Sequence, residues 1–193
     1  YETEFASAYS VLKSVIVQRK LLHGLVLNFL ERKPAGIWCF ASTSSAQVSH
    51  CQYFDEDKIL WGQPAKSSGF IFLTIEDQRE MVRLGSPQGA SRQIDDDFFK
   101  PIMEIAKNMS GEIKNIVIPA GSFNEFRVYT ARSTKPQGGE PAESADYYII
   151  FTTDSAAQNQ LDVHKIFLNE KSKDSNFYPQ YIDLRIEGRV YYK

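Results

Sequence analysis

The sequence lacks long apolar runs, a large net charge of either sign, and an abundance of cysteine. No window holds the roughly 20 consecutive apolar residues that cross a bilayer, and no charged-then-apolar signal peptide opens the chain. The 22 Lys and Arg residues stand against 24 Asp and Glu residues, which leaves a formal charge of −2. That balance gives no electrostatic reason to expect nucleic acid or an anionic membrane surface as a partner. Because the first residue is Tyr1 rather than Met, we expect the sequence to be a fragment.

Short motifs that mark common catalytic and nucleotide-binding sites are also missing. No GxSxG, GxxxxGK[ST], HExxH or GxGxxG pattern occurs. The three histidines, His23, His50 and His164, fall in a predicted turn, a predicted loop and a predicted helix surface. We therefore expect no catalytic residue, no metal site, no cofactor and no small-molecule substrate. Only a deep pocket that holds Asp55, Asp57 and His50 with perturbed ionisation would favour an enzyme.

Cysteine is limited to Cys39 and Cys51, which are separated by eleven residues. That spacing suits a disulfide that closes a polar hairpin loop between the strands IWCF and CQYF. Two reduced cysteines in a cytosolic protein are the alternative, and a zinc site would need a fourth ligand beside the two cysteines and His50. A disulfide would indicate an oxidising compartment and would stabilise the fold by about 2–3 kcal/mol.

What is present is a hydrophobic share of 42% in 193 residues, which is enough to bury a core. Apolar periodicity predicts a short helix over residues 2–13, and a hairpin follows with its turn at His23 and Gly24. Further strands follow, interrupted by predicted helices at residues 95–111 and 156–170. Runs of strands without regular βαβ alternation predict an α+β fold with a largely antiparallel sheet. We place a domain boundary near residues 34–36.

Both later helices carry recognisable end signals. Asp residues occupy the N-cap region of the helix at 95–111, Pro101 is expected in its first turn, and Gly111 follows its end. Asp154 or Ser155 is expected to cap the other helix. The predicted apolar face of that helix consists of Leu161, Val163, Ile166, Phe167 and Leu168.

The last stretch, YIDLRIEGRVYYK at residues 181–193, alternates most regularly between apolar and polar residues. This alternation predicts one terminal strand with Ile182, Leu184 and Ile186 on a single side. A strand at the margin of a sheet leaves unpaired N–H and C=O groups that another chain can adopt. The tyrosine pairs at 147–148 and 191–192 are each expected to put one ring in the core and one outside.

Three stretches, taken in order, resemble one known family. The segment VIVQRKLLHGLVLNFLERKPAGIWC, at residues 15–39, is similar to the end of a POTRA domain that leads into a following domain. CQYFDEDKILW, at 51–61, resembles the hairpin that opens that next domain, and LDVHKIFLNE with the terminal stretch resembles its helix and closing strand. Together they resemble the bacterial cell-division family FtsQ, called DivIB in many Gram-positives. The resemblance implies the C-terminal part of a POTRA domain at residues 1–35 and an FtsQ-type β domain at 36–193.

For function, the resemblance implies a non-catalytic divisome scaffold. Family members are single-pass inner-membrane proteins whose extracytoplasmic domains act at the division septum. They bind FtsB and FtsL and link early division proteins to septal peptidoglycan synthesis. In the family, FtsB adds a strand to the last strand of the β domain. The matching partner-binding residues in this chain are Tyr181, Asp183, Arg185, Ile186, Gly188 and Tyr192.

Individual roles at this site have more than one interpretation. Arg185 can pair with a partner carboxylate, or it is a solvent-facing charge that discourages aggregation. Gly188 is expected to let a neighbouring backbone approach or to place a bulge, and the family usually has an aromatic residue in place of Ile186. The alternative function is a POTRA-containing secretion or outer-membrane assembly module. It would add strands at the edge near residues 15–19.

Overall fold

The computed structural model describes residues 8–21, 23–42, 45–64, 72–79, 94–130, 147–171, 173–174 and 177–193. In these ranges the strands form one sheet of two strands and one sheet of nine. Two helices accompany the larger sheet, in which antiparallel pairs outnumber parallel ones. The predicted α+β class with a mainly antiparallel sheet is therefore confirmed.

The smaller sheet is a hairpin of β1 (Leu12–Lys20) and β2 (Gly24–Glu31). His23 lies in its turn, as predicted, with a positive φ of 76°. The helix predicted over residues 2–13 is wrong at its end, because Leu12 and Lys13 already belong to β1; residues 1–7 lie outside the described residues. The β-branched run at residues 15–17 favours a strand and outweighs the helical spacing of the apolar residues before it.

The larger sheet runs almost the whole remaining length of the chain. Its strands are β3 (Gly36–Ser42), β4 (Ser45–Phe54), β5 (Leu60–Trp61), β6 (Leu73–Asp77), β7 (Ile113–Ile118), β8 (Glu125–Thr130), β9 (Tyr147–Thr152), β10 (Tyr181–Asp183) and β11 (Tyr191–Tyr192). Their spatial order is β11-β10-β9-β8-β7-β6-β3-β4-β5. The pairs β3–β6, β6–β7 and β9–β10 are parallel, and the others are antiparallel.

Cys39 and Cys51 lie directly opposite each other on β3 and β4 and form a disulfide, as predicted. The polar loop predicted between them is wrong, because β3 continues to Ser42 and β4 begins at Ser45. His50 therefore lies in a strand rather than in a loop. The strand pairing that places the two cysteines opposite each other continues beyond them into polar sequence. That sequence lacks the alternation of apolar and polar residues by which a strand is recognised.

A partly buried ion pair joins the hairpin to the larger sheet. Arg32 Nη1 lies 2.6 Å from Asp55 Oδ2, and both side chains are largely shielded from water. Arg32 Nε also donates to the carbonyl of Ser10 at 3.1 Å. The other oxygen of Asp55 accepts the backbone N–H groups of Asp57 and Ile59, which holds the turn after β4. Asp55 thus connects this turn to the base of the hairpin.

The first described helix, α1, spans Asp96–Asn108. Asp95 is its N-cap, as predicted, and its side chain accepts the N–H of Asp97 at 3.1 Å. Pro101 lies in the second turn rather than in the predicted first turn, so the helix lacks one backbone hydrogen bond there. Gly111, with a φ of 85°, follows the end of the helix as predicted.

The second described helix, α2, spans Ala157–Lys171. Leu161 and Phe167 are buried as predicted, but Ile166 is exposed, and His164, predicted at the surface, is only 4% exposed. The prediction is wrong for both residues because a different row faces the sheet. The buried row, spaced three and four residues apart, is Ala157, Gln160, Leu161, His164 and Phe167.

One hydrophobic core lies between the helices and one face of the larger sheet. Aromatic rings from both layers meet there: Phe98 of α1 contacts Phe126 of β8 with ring centroids 6.5 Å apart, and Phe99 contacts Phe54 of β4 at 5.9 Å. The described part of the chain contains no helix that is long and apolar enough to cross a bilayer. The core fixes the sheet whose last strands carry the predicted site.

Candidate partner-binding edge at the carboxy-terminal strand

The carboxy-terminal stretch, predicted as one strand, forms two short strands and a turn. β11 returns antiparallel to β10. Between them the N–H of Arg189 donates to the carbonyl of Ile186 at 3.0 Å, and Gly188 adopts a left-handed φ of 69°. The prediction of a single strand is wrong, because the chain reverses here. Gly188 is the third residue of the turn, a position that requires a conformation glycine adopts readily.

β10 does not lie at the margin of the sheet. β9 pairs with it in parallel on one side, and β11 pairs with it antiparallel on the other. The N–H of Lys193 donates to the carbonyl of Tyr181 at 3.3 Å, and Leu184 donates to Ile150 at 3.0 Å. Because both sides of β10 are occupied, the prediction of an open backbone edge is wrong for Tyr181 and Asp183.

The margin is β11 instead. It is the last strand of the sheet, and no described strand lies beyond it. The N–H of Lys193 faces β10, so the N–H and C=O of Tyr192, one residue earlier, face the opposite direction. Of the six predicted site residues, Tyr192 is the one whose backbone groups lie at the open margin. The edge is short, because β11 contains only two residues.

The side chain of Tyr192 is held by α2 and the segment after it. Its ring centroid lies 5.3 Å from that of Phe167 and 5.5 Å from that of Phe177. Lys171 Nζ lies 5.0 Å from the Tyr192 centroid, within the range of a cation–π contact. These ring contacts fix the position of the Tyr192 backbone at the edge of the sheet.

The predicted alternation of adjacent tyrosines holds for one pair only. Tyr147 is buried in the core, and Tyr148 is partly exposed on the other face. Tyr191 and Tyr192 are both about half exposed, so the prediction is wrong for the pair at the margin. A strand at the margin has a neighbour on one side only, which leaves both of its faces partly open to solvent.

Arg185 binds two carboxylates of its own chain. Its Nη2 lies 2.7 Å from Asp183 Oδ2, and its Nη1 lies 2.7 Å from Glu125 Oε2. Burial alone would raise the pKa of Asp183, but the hydrogen bonds and charge of Arg185 outweigh burial and lower it. The hydrogen bonds that Arg185 donates to the Asp183 carboxylate in turn raise the pKa of Arg185. In the free protein Arg185 therefore links the segment after β10 to β8.

Glu125 is a residue that the sequence reasoning missed. It lies 60 positions from Arg185 and has no local pattern that marks it. Tyr181 was predicted to contact a partner, but its ring stacks on Tyr148 at 5.9 Å, and Tyr148 in turn contacts Tyr129 at 5.3 Å. These contacts form a cross-strand row of three tyrosines on the face of the sheet away from the core.

Ile186 and Gly188 lie in the turn and line a small apolar cavity between the turn and α2, together with Leu184 and Val163. Ile186 is exposed. A Cβ added at Gly188 would meet no atom of the described residues within 4 Å, so none of their backbone approaches this glycine closely. The prediction of a close approach or a bulge is wrong, because the φ of the turn accounts for the glycine.

Two of the residues whose grouping in a pocket would favour an enzyme contact cations instead. Asp55 pairs with Arg32, and Asp57 pairs with Lys13 at 2.7 Å. Over the described ranges, no three His, Cys, Asp or Glu side chains come together as metal ligands would. A scan of the sequence against protein-family models finds no match, and a search of curated proteins finds none either. Any functional assignment therefore rests on the sequence resemblance and on the geometry of the margin.

Proposed function

We propose that this chain is the extracytoplasmic part of a division scaffold of the FtsQ/DivIB type. Residues 1–35 would be the end of its POTRA domain, and residues 36–193 its β domain. The parent protein would cross the inner membrane once and act at the division septum without catalysing a reaction. It would bind FtsB- and FtsL-type proteins and so link early division proteins to septal peptidoglycan synthesis.

The observation that carries this proposal is the orientation of Tyr192 at the last strand of the sheet. Its N–H and C=O point away from β10, and a partner strand laid along β11 would satisfy both. Each backbone hydrogen bond contributes about 1 kcal/mol net. Two such bonds give about 2 kcal/mol, which is too little for a stable complex, so side chains must supply the remainder.

Suitable side chains surround this short edge. Tyr191 and Tyr192 are half exposed, and Ile186 is exposed in the adjacent turn. Tyrosine is among the residues that contribute most to protein interfaces, because its ring is large and rigid and has a polar tip. A partner strand with apolar side chains facing these three residues would remove them from water.

Arg185 would take part through a single nitrogen. Its Nε and Nη2 are engaged by Asp183, while Nη1 is engaged by Glu125. A partner carboxylate would therefore compete with Glu125 rather than with Asp183, whose contact uses two nitrogens of the guanidinium. Replacing Arg185 by Lys would remove the planar guanidinium, whose separate nitrogens allow contact with two carboxylates at once.

The test is calorimetric titration of an FtsB-type peptide into three forms of the chain. Tyr192→Ala removes the ring and keeps the N–H, whereas Tyr192→Pro removes both. The proposal predicts that Tyr192→Ala weakens binding and that Tyr192→Pro weakens it at least about fivefold more, since only the latter lacks the ladder donor. Equal affinity of the two variants would contradict strand addition at β11.

A second candidate is the POTRA-containing secretion or outer-membrane assembly module. It is favoured by the hairpin, whose sheet contains no further described strand beside β1 or β2. Such a module would add strands along residues 15–19. A photo-crosslinker placed at Ile16 and another at Tyr191 would separate the two functions. Crosslinks to a partner from Ile16 alone would favour the second candidate.

A further inference from the structure

Charge is distributed unevenly along this nearly neutral chain. Residues 5–30 contain Lys13, Arg19 and Lys20 but no Asp or Glu. The remaining residues therefore carry −5, since the whole chain carries −2 and this segment +3. Lys13 is neutralised by Asp57 at the base of the hairpin. Within the described part of the chain, Arg19 and Lys20 have no ion-pair partner.

The two unpaired cations lie at the tip of the hairpin, together with the most exposed apolar side chains among its described residues. Leu21 is 97% exposed and Leu25 is 66% exposed. Arg19 is the cross-strand partner of Leu25, and Lys20 is that of Gly24. Two consecutive cations are thus followed directly by apolar residues at the tip, and no acidic residue lies nearby in sequence.

The tip is also separated from the base of the hairpin by the length of β1. β1 contains nine residues, so its far end lies about 27 Å along the strand from Leu12. The base is anchored by Arg32 and Asp55, so the described turn residues 20, 21, 23 and 24 lie at the opposite end of the hairpin from this junction. The end of a two-stranded hairpin offers little surface to a folded protein partner, but its side chains can enter the interface of a lipid bilayer.

We propose that the tip of the β1–β2 hairpin docks on the surface of an anionic lipid bilayer. Arg19 and Lys20 would contact lipid phosphates, and Leu21 and Leu25 would enter the boundary between headgroups and acyl chains. The open edges of a two-stranded ribbon restrict insertion to this boundary, because unpaired backbone groups are costly in hydrocarbon. This inference does not depend on the proposed function.

The expected contributions are modest individually and substantial together. Each Lys or Arg near an anionic surface strengthens association about fivefold. Removing an exposed leucine side chain from water strengthens it by about tenfold or more. The attraction of the cations falls with added salt, whereas the contribution of the leucines does not.

The experiment is sedimentation of the whole chain with vesicles of phosphatidylglycerol and phosphatidylcholine, compared with vesicles of phosphatidylcholine alone. We expect binding to the anionic vesicles only. Leu21→Ser should weaken it about tenfold, and the double change Arg19→Glu with Lys20→Glu should weaken it at least as much. The matched control is Phe123→Ser, since Phe123 is 94% exposed in the turn between β7 and β8. That variant should bind like the wild type.

Insertion has its own readout. A Leu21→Trp variant should show fluorescence quenching by brominated acyl chains, over a background from Trp38 and Trp61, which are both buried. Unchanged thermal unfolding of the Leu21 variants would show that the fold is intact. No sedimentation with anionic vesicles, equal loss in the Phe123 control, or binding without quenching at position 21 would each overturn the proposal. The first result would leave the tip as a contact for a protein.

Discussion

His164 is expected to make the stability of this protein depend on pH over a defined range. Its imidazole is 4% exposed on the buried face of α2, and its Nε2 has no hydrogen-bond partner among the described residues. Burial lowers the pKa of His164 from the ordinary value of 6.5 to about 4, because a charged imidazole would lose its hydration there. The folded protein therefore holds this histidine neutral.

The magnitude follows from the difference between the two pKa values. Between pH 6.5 and pH 4 the unfolded chain binds a proton that the folded chain does not, so the free energy of unfolding falls as pH falls. A difference of 2.5 pKa units, at about 1.36 kcal/mol each, corresponds to a loss of about 3 kcal/mol. The full stability is present above pH 6.5.

Carboxylates act in a separate range. The pKa values of Asp57, Asp96 and Asp183 are lowered. Burial alone would raise each of these pKa values, but the hydrogen bonds and charge of a cationic partner outweigh burial. Their contribution is present above the ordinary carboxyl pKa of 3.8 and is lost as pH falls below it. The range between about pH 6.5 and pH 4.5 therefore reports on His164.

Urea unfolding followed by the fluorescence of Trp38 and Trp61 would measure this effect at about pH 7 and about pH 4.5. The wild type should lose roughly 2–3 kcal/mol between the two conditions, and His164→Leu should lose much less. The leucine fills a similar volume without a titratable group, so it is the matched comparison. Parallel losses in wild type and variant would refute the assignment of a buried neutral histidine.

Three further predictions concern the fold. Replacing Cys39 and Cys51 by Ser should lower the free energy of unfolding by about 3 kcal/mol, as measured by urea unfolding; a change within error would contradict a stabilising role of the disulfide. Asp55→Asn should destabilise by about 3 kcal/mol, because Arg32 would keep a shielded, unpaired charge. Amide hydrogen exchange should then become faster at the base of the hairpin. An unchanged exchange rate would contradict the stabilising role of the Arg32–Asp55 ion pair. Gly36→Ala should lower the free energy of unfolding by about 1–3 kcal/mol, since the added Cβ would lie 2.6 Å from the backbone oxygen of Leu73 and 2.7 Å from the ring of Phe54. Thermal unfolding measures this change, and an unchanged midpoint would show that the site has room for the Cβ.

Much of the fold follows from local sequence signals. The cap at Asp95, the turn at His23 and the alternation of apolar residues each act over a few positions, so a single sequence is enough to identify them. Prediction failed where a tertiary partner decided the outcome. His164 is buried because the sheet packs against one particular row of α2, and that choice is invisible in the helix alone.

The margin of the sheet was predicted in the right segment, but of the named residues only Tyr192 lies on its outermost described strand. Alternation between apolar and polar positions continues through the turn, and Gly188 is the only residue that marks the reversal of the chain. The pairing of Arg185 with Glu125 joins positions 60 apart, so no local pattern predicts it. Register across a sheet is set by the hydrophobic pattern and by turn geometry, and here the hydrophobic pattern does not reveal the turn.

The most direct test of strand addition at β11 is residue-specific amide hydrogen exchange by NMR, with and without an FtsB-type peptide. In the free chain the N–H of Lys193 bonds to Tyr181, whereas that of Tyr192 points away from β10. The account predicts that the Tyr192 amide exchanges rapidly alone and becomes strongly protected in the complex. A bound peptide that leaves exchange at Tyr192 unchanged would contradict it.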